Sequence, residues 1–249
     1  MNSALMVMWQ RQIKEYFRNK QRMIGTLAQP LLFLVTFGFG LSSTFKQTGN
    51  GSYIQYLTPG IVGMTILFSA VMNGMSLIWD KQFGFLKETL VAPVSRARLL
   101  FGRCLGGATT SIFQGLIVII FAFLMGFRIS DWALFPLAVI LMFLTALLFS
   151  LLGTSLASKF DDMQSFPTIM NLLVMPMFFL SGALFPIKNF PSVIRILAKI
   201  NPMTYCVDLL KYAFGGKAEF NIVLNITVLA MGIIALGILG TYFFNRLET

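Results

Sequence analysis

Few side chains in this sequence are suited to chemistry. There is no histidine, so the group that most often transfers protons near neutral pH is absent. Histidine–cysteine clusters for a metal are also absent, as are paired carboxylates within the apolar runs. Lys217 follows Gly216 but precedes Ala218, so the phosphate-binding form Gly-x-x-x-x-Gly-Lys-Ser/Thr is missing. We therefore expect no cofactor on this chain and no ATP hydrolysis by it alone.

The strongest polar side chains inside the apolar runs are the amides Asn73, Gln114 and Asn171. We expect them to bond across helices rather than to bind cargo. A proton or sodium relay in a membrane generally needs Asp, Glu or His inside the bundle. Their absence from these runs argues against ion-coupled transport.

Long uncharged runs must position these residues. The longest extends from Gln47 to Trp79, and a helix of about 20 apolar residues spans the roughly 30 Å hydrocarbon layer. The chain is 57% hydrophobic and 11% charged, whereas soluble domains are about 25% charged. These features predict an all-α membrane protein with six transmembrane helices. The expected spans are about 23–45, 56–79, 104–127, 132–158, 163–187 and 220–245.

The segments between the spans are short, so we expect a single membrane domain over 1–249 with no separate catalytic domain. Residues 1–22 are predicted to form an amphipathic helix in the membrane interface, because apolar and charged side chains alternate at helical spacing. The cytoplasmic segment is 80–103. An extracellular re-entrant helical hairpin is predicted at 188–217, between spans 5 and 6.

Basic residues near the span ends predict the orientation. Five of them precede the first span against one acid, Glu15, which places the N-terminus, and after six spans the C-terminus, in the cytoplasm. Five basic residues in 188–217 run against this rule, but the first helix usually dominates. The net charge of +10 indicates anchoring to anionic lipid rather than to nucleic acid. Cys104 and Cys206 then lie on opposite sides, which argues against a disulfide.

The segment 80–103 is the most informative cytoplasmic piece. Phe83, Phe85, Leu86 and Leu90 place large apolar groups on a short helix among charged residues. A knob that docks into a groove of another protein needs this pattern, although an ordinary interfacial loop would also fit. A second helix, with Ser95 as N-cap, should lead into the third span.

The predicted outer hairpin consists of two short helices. The first covers Pro191 to Ile200, and Asn201-Pro202 breaks it. The second begins near Met203 and stops at Gly215-Gly216, a suitable C-cap. Each is too short to span the bilayer. Within the second helix, Asp208 and Lys211 are three residues apart and could pair.

Three local patterns together resemble one family. They are GFLKETLVAPVSR at 84–96, PMFFLSGALFP at 176–186 and NPMTYCVD at 201–208. This combination resembles the membrane subunits of type-2 ABC exporters, the branch that contains daunorubicin-resistance and nodulation-factor permeases. The likeness covers nearly the whole chain and is unspecific for cargo.

The resemblance implies a permease subunit in the cell membrane that exports an amphipathic drug-like or lipid-linked substrate. Its partners would be two copies of an ABC ATP-binding subunit, which hold ATP and Mg, and a second copy of this chain or a close homologue. A coupling helix that enters the ATPase would comprise Gly84, Phe85, Leu86, Lys87, Glu88, Thr89 and Leu90. Phe85 and Leu86 would form its buried plug, with charged contacts from Lys87 and Glu88. An outer gate would comprise Ser181, Gly182, Phe185, Asn201, Pro202, Tyr205 and Asp208. Lys211 stands where the family pattern leads us to expect arginine, so a bidentate pair with Asp208 is in doubt.

Two other functional classes compete with export. An ion-coupled secondary carrier would transport with a proton or sodium gradient in vesicles that contain this chain alone. A non-transporting membrane assembly factor would copurify with partners but move nothing. A neighbouring reading frame that encodes a phosphate-binding loop would favour the exporter over both of these classes.

Overall fold

A computed structural model describes residues 3–40, 53–86, 89 and 94–246. Its described elements are helical, with no strand among them, which confirms the all-α prediction. The helices are α1 (Ser3–Arg18), α2 (Lys20–Gly40), α3 (Tyr53–Met72), α4 (Met75–Gln82), α5 (Arg96–Leu124), α6 (Phe135–Ala157), α7 (Ser165–Phe179), α8 (Ser192–Ile200), α9 (Pro202–Ala213) and α10 (Ile222–Asn245). Short 3-10 helices lie at Trp132–Leu134 and Ile187–Asn189.

Five stretches are long and apolar enough to cross a membrane. They are Met23–Gly40, Tyr53–Gln82, Arg96–Leu124, Trp132–Ala157 and Ile222–Asn245. The remaining predicted span, 163–187, contains the 15-residue helix α7, which rises only about 22 Å. The chain leaves the helix before Gly182, whose φ is +77°. The described residues thus support five spans, and the sixth stays a prediction.

The core of the bundle is the stretch that comprises α3 and α4. In an 18-residue window of this stretch, about the length of a membrane span, 78% of the residues are buried. In the corresponding windows of α2 and α10, 22% and 17% are buried. The two helices are separated at Asn73 and Gly74, where α6 crosses. A Cβ on Gly74 would lie 2.5 Å from the carbonyl oxygen of Gly153, and a Cβ on Gly153 would lie 2.4 Å from that of Val71. Only glycine permits this approach of two backbones.

Helix α1 packs on the start of α5. It buries Met8, Gln12 and Tyr16, which lie one turn apart on one face. Gly102 and Gly106 of α5 form the surface below, since a Cβ on Gly106 would be 2.5 Å from the Cβ of Gln12. The interface helix is therefore joined closely to a membrane-spanning helix, rather than lying free in the lipid interface.

Helix α5 is continuous from Arg96, so the helix predicted to follow Ser95 leads directly into the third predicted span. Ser95 occupies the N-cap position with extended backbone, but its side chain makes no capping hydrogen bond. Helices α8 and α9 are separated at Asn201, whose side chain accepts from the Met203 amide at 3.1 Å and so caps α9. Gly215, with φ +87°, follows α9, as predicted.

Candidate functional site

The predicted coupling segment begins where α4 ends. Gly84 has φ +79°, a backbone conformation that favours glycine. Phe83 and Phe85 are 61% and 53% exposed, whereas Leu86 is buried in the core of its own chain. Only one of the two predicted plug residues, Phe85, therefore presents its side chain at the surface. Thr89 donates to the Phe85 carbonyl at 2.8 Å, as expected one helical turn apart. Lys87, Glu88 and Leu90 lie outside the described residues.

A buried ion cluster fixes the end of α4 next to this segment. We call Arg11, Asp80 and Arg103 the Asp80 cluster. Arg11 donates to Asp80 Oδ1 at 2.5 Å, and Arg103 donates to Asp80 Oδ2. Asp80 and Arg103 are nearly inaccessible to solvent. One carboxylate thus joins α1, α4 and α5, and its charge compensates that of the buried guanidinium.

Neutral polar groups extend this contact along the same helices. Ser76 donates to Gln12 Oε1 at 3.3 Å and accepts from Arg103 at 3.4 Å. One turn further, the Asn73 amide donates to the Gly107 carbonyl at 3.1 Å. Asp80, Ser76 and Asn73 lie on one face of the chain from α3 to α4. Polar contacts therefore continue from the α4 end into the apolar part of the bundle.

Asn73 and Gln114 bond across helices, as the sequence predicts. The Gln114 amide donates to Tyr16 Oη at 2.7 Å and to Thr26 Oγ1 at 2.5 Å, which joins α5 to α1 and α2. Asn171 differs, because its side chain is exposed on α7.

Helix α4 is also tied to the connection after α6. Lys81 donates to the carbonyls of Ser158 at 2.6 Å and Phe160 at 3.0 Å, and pairs with Asp161 at 3.2 Å. The carbonyls at a helix C-terminus lack partners within the helix and carry partial negative charge, which the ammonium satisfies. Direct bonds from Asp80 and Lys81 therefore join the end of α4 to α1, α5 and α6.

The region around α9 holds a second polar cluster. Lys211 on α9 is buried and donates to the Gly182 carbonyl at 2.8 Å. Its ammonium lies 3.9 Å from the centroid of the Tyr56 ring and 3.8 Å from Glu219. Tyr56 Oη donates to the same Gly182 carbonyl at 2.8 Å. We call Tyr56, Gly182, Lys211 and Glu219 the Lys211 cluster. It joins α3, the segment after α7, α9 and the segment before α10.

Asp208 has other partners than Lys211. It accepts from the backbone amides of Glu219 at 2.7 Å and Phe220 at 3.0 Å, and from the Asn225 side chain at 2.7 Å. The predicted pairing of Asp208 with Lys211 is thus replaced by two separate sets of contacts. Burial lowers the pKa of Lys211 to about 8, while Glu219 and Asp208 oppose that shift. The ammonium is therefore charged at neutral pH and is lost as the pH rises through about 8.

Most of the other predicted gate residues make hydrogen bonds to α7 and α8. Ser181 donates to the Phe178 carbonyl at 2.5 Å, and Asn201 donates to the Met177 carbonyl at 2.6 Å. The α9 residue Tyr205 donates to the Lys199 carbonyl at 2.6 Å, and Pro202 begins α9. Phe185 stands apart, with 47% of its side chain exposed. The structure thus ties α7 to the α8–α9 junction.

Sequence reasoning missed the roles of several residues in and beside these two clusters. It placed Asp80 only at the start of the cytoplasmic segment 80–103, although Asp80 is the buried anion of the Asp80 cluster. Asn225 is fully buried and binds Asp208. An amide within an uncharged run was already the criterion that identified Asn73, so the same signal would have found Asn225. The pairings of Asp80 had no comparable local signal.

The described contacts are hydrogen bonds and ion pairs between helices. Within residues 3–40, 53–86 and 94–246, no group of three His, Cys, Asp or Glu side chains could hold a metal ion. Cys104 and Cys206 are both buried free thiols. Phe83 and Phe85 present exposed apolar side chains where α4 ends.

Comparisons with known proteins identify the family. The family model described as ABC-2 type transporter matches residues 3–214. The chain is 28% identical to the inner membrane transport permease YadH of Escherichia coli K12 over 238 residues, which are 93% of this chain and 91% of the relative. It is 25% identical to nodulation protein J of Rhizobium leguminosarum over 228 residues, 90% and 86% of the two chains. The chain therefore belongs to the ABC-2 type transporter family and is a multi-pass permease subunit of the inner membrane.

Proposed function

We propose that this permease works with a separate ATP-binding subunit and exports an amphipathic or lipid-linked substrate. The observation that carries the proposal is the exposed pair Phe83 and Phe85, held by the Asp80 cluster, in a chain of the ABC-2 family. The two bound ATP molecules and their Mg ions would sit on two copies of the partner. Both termini of the permease would lie in the cytoplasm, with six spans and an outer hairpin formed by α8 and α9.

The coupling step follows from the contacts at α4. Closure of the ATP-binding subunits on ATP would push the segment Gly84–Leu90, with Lys87 and Glu88 as charged contacts. Arg11 would carry this displacement to α1, and Arg103 to α5, through the shared carboxylate of Asp80. Such a step needs no titratable relay, which agrees with the scarcity of ionisable groups in the apolar runs.

A second copy of the chain would complete the path for the substrate. Helices α2 and α7 leave large apolar side chains exposed, among them Phe39 and Leu172. The sequence predicts a cavity lined by the first, second and fifth spans, but the contribution of the second span is small, because α3 is mostly buried. We therefore assign the path to α2 and α7, with polar Asn171 among its lining residues. Tyr205, Asp208 and the segment around Ser181 would form the outer gate.

The docking role is tested with Phe85→Ala. We expect at least about a 30-fold weaker binding of the ATP-binding subunit, because a buried aromatic anchor contributes on the order of 2 kcal/mol. Copurification and biolayer interferometry in detergent measure the affinity, and ATPase assays with candidate cargos measure coupling. Phe121→Ala removes an equally exposed ring within a span and is the matched control. Unchanged affinity in Phe85→Ala would contradict the docking role.

The rival functions give different outcomes in vesicles. Flux that needs only this chain and an ion gradient would support a secondary carrier. Stable copurification with no flux under any condition would support an assembly factor. ATP-dependent flux that requires the partner subunit is the result expected here.

The outer gate is tested with Lys211→Met. Loss of the ammonium leaves the Gly182 carbonyl with Tyr56 alone and removes the pair with Glu219, so we expect faster amide hydrogen exchange over residues 181–186. The increase should be about tenfold, the equivalent of roughly 1.4 kcal/mol of local stability. Mass spectrometry of peptic fragments gives the rates. Lys217→Met, which removes an exposed lysine of the same segment, should leave them unchanged.

A further inference from the structure

We propose that a groove between α5 and α10 binds one anionic phospholipid, with its acyl chain in the groove and its phosphate at the arginines of the adjoining bundle end. The groove is lined by Phe101, Ile233, Ile234, Gly237, Ile238 and Thr241 and has a volume of about 540 Å³. This site has no part in the docking or gating proposed above.

The groove exists because α10 has a glycine at its floor. Gly237 is buried, and the nearest atom to a Cβ placed there would be Phe101 Cζ at 3.3 Å. Ile234 and Ile238 form one exposed wall, at 62% and 66% exposure. From Ile233 to Thr241 the helix rises about 12 Å. The lining is almost entirely apolar, as the binding of a hydrocarbon chain requires.

One end of the groove is cationic. Arg96 at the start of α5 donates to the Asn245 carbonyl at the end of α10, at 2.7 Å, so these two helix ends adjoin. Arg98 lies one turn from Phe101 on the same face of α5 and is exposed. Arg246 lies beside Tyr242, with 4.4 Å between the guanidinium carbon and the ring centroid. Three guanidinium groups thus occupy the bundle end where a lipid phosphate would lie.

The charge distribution favours a lipid over a second copy of the chain. In a two-fold dimer with its axis along the membrane normal, the same ends of both copies adjoin. The arginines of the two copies would then face each other across the contact, which is unfavourable. An anionic phospholipid supplies both an apolar chain and an opposite charge. In the proposed topology it would come from the cytoplasmic leaflet.

The test uses the full-length protein in vesicles of equal parts phosphatidylglycerol and phosphatidylcholine. Native mass spectrometry after mild detergent extraction counts the lipids retained. We expect wild type to retain the anionic lipid about fivefold over the zwitterionic one, and Arg98→Gln to bring the ratio near one. Gly237→Leu should fill the groove and remove the bound lipid of either kind.

Matched controls separate this site from general adhesion. Arg128→Gln removes an exposed arginine beyond the other end of α5, and Ala235→Leu places the same leucine side chain on another exposed face of α10. Both should behave as wild type. The proposal is overturned if wild type retains the two lipids equally or if Arg128→Gln loses as much anionic lipid as Arg98→Gln. It is also overturned if both site variants retain lipid as wild type does. Arg98→Gln is a surface change and remains informative if Gly237→Leu does not fold.

Discussion

Asp80→Asn should be among the most damaging substitutions in the protein. The variant leaves the Arg103 guanidinium buried without its counter-charge, which costs about 3–5 kcal/mol. We expect the midpoint of thermal unfolding in detergent to fall by on the order of 10 °C, with most of the protein lost to aggregation. Size-exclusion chromatography after a temperature series measures the change.

The controls for Asp80→Asn identify the cause. Glu15→Gln makes the same chemical change at an exposed position of α1 and should shift the midpoint little. The double variant Asp80→Leu with Arg103→Met removes both buried charges, and Arg11 is partly exposed and can turn to water. This double variant should therefore recover most of the free energy of unfolding that Asp80→Asn loses. A double variant as unstable as Asp80→Asn would show that the buried charge is not the cause.

Gly153→Val is the second substitution with a large expected effect. Its branched side chain would meet the backbone of Val71, whose oxygen is 2.4 Å from the Cβ position, and backbone cannot turn away as a side chain can. We expect a loss of roughly 3 kcal/mol, the upper part of the range for overpacking. Thermal unfolding and the yield of monodisperse protein measure it.

Two further glycine variants test the crossing. Gly74→Ala should also destabilise the protein, because α6 approaches the α3–α4 junction closely at both glycines. The double variant Gly74→Ala with Gly153→Ala should lose less free energy of unfolding than the two single variants lose together. One separation of the helices would relieve both contacts. Gly25→Ala meets no atom within 4 Å and should stabilise α2 by about 0.5–1 kcal/mol. Strict additivity of the pair would contradict a shared crossing.

The length of apolar runs predicted five membrane-length stretches and leaves the sixth span a prediction. The five runs contain helical stretches long enough to cross a membrane, although α3 and α4 are separated at Asn73 and Gly74. The run 163–187 is equally uncharged, yet α7 ends at Phe179. Apolar composition does not distinguish a helix from a buried irregular segment. Gly182 and Pro186 were the local signals that the helix stops early.

Sequence spacing could not predict the partners of the charged residues. Asp80 is 69 residues from Arg11 and 23 from Arg103, so no helical period relates them. Asp208 and Lys211 have the spacing of a helical pair, but backbone amides of the following segment satisfy Asp208 instead. Leu86 was expected to contact a partner protein, but its side chain is buried within this chain, because the end of α4 folds against the bundle. Local pattern predicted that these elements exist, and tertiary contacts decided which side chains they present.

The bond from Lys81 to the end of α6 has a mechanical consequence. It couples two of the most buried membrane crossings at one end, while the glycine crossing of Gly74 and Gly153 couples them again further along. Two separated attachments prevent these helices from rotating or sliding independently. The two helices therefore move together as one frame when the segment after α4 is displaced, and we expect changes in relative position to involve α2 and α10, the least buried of the membrane-length helices.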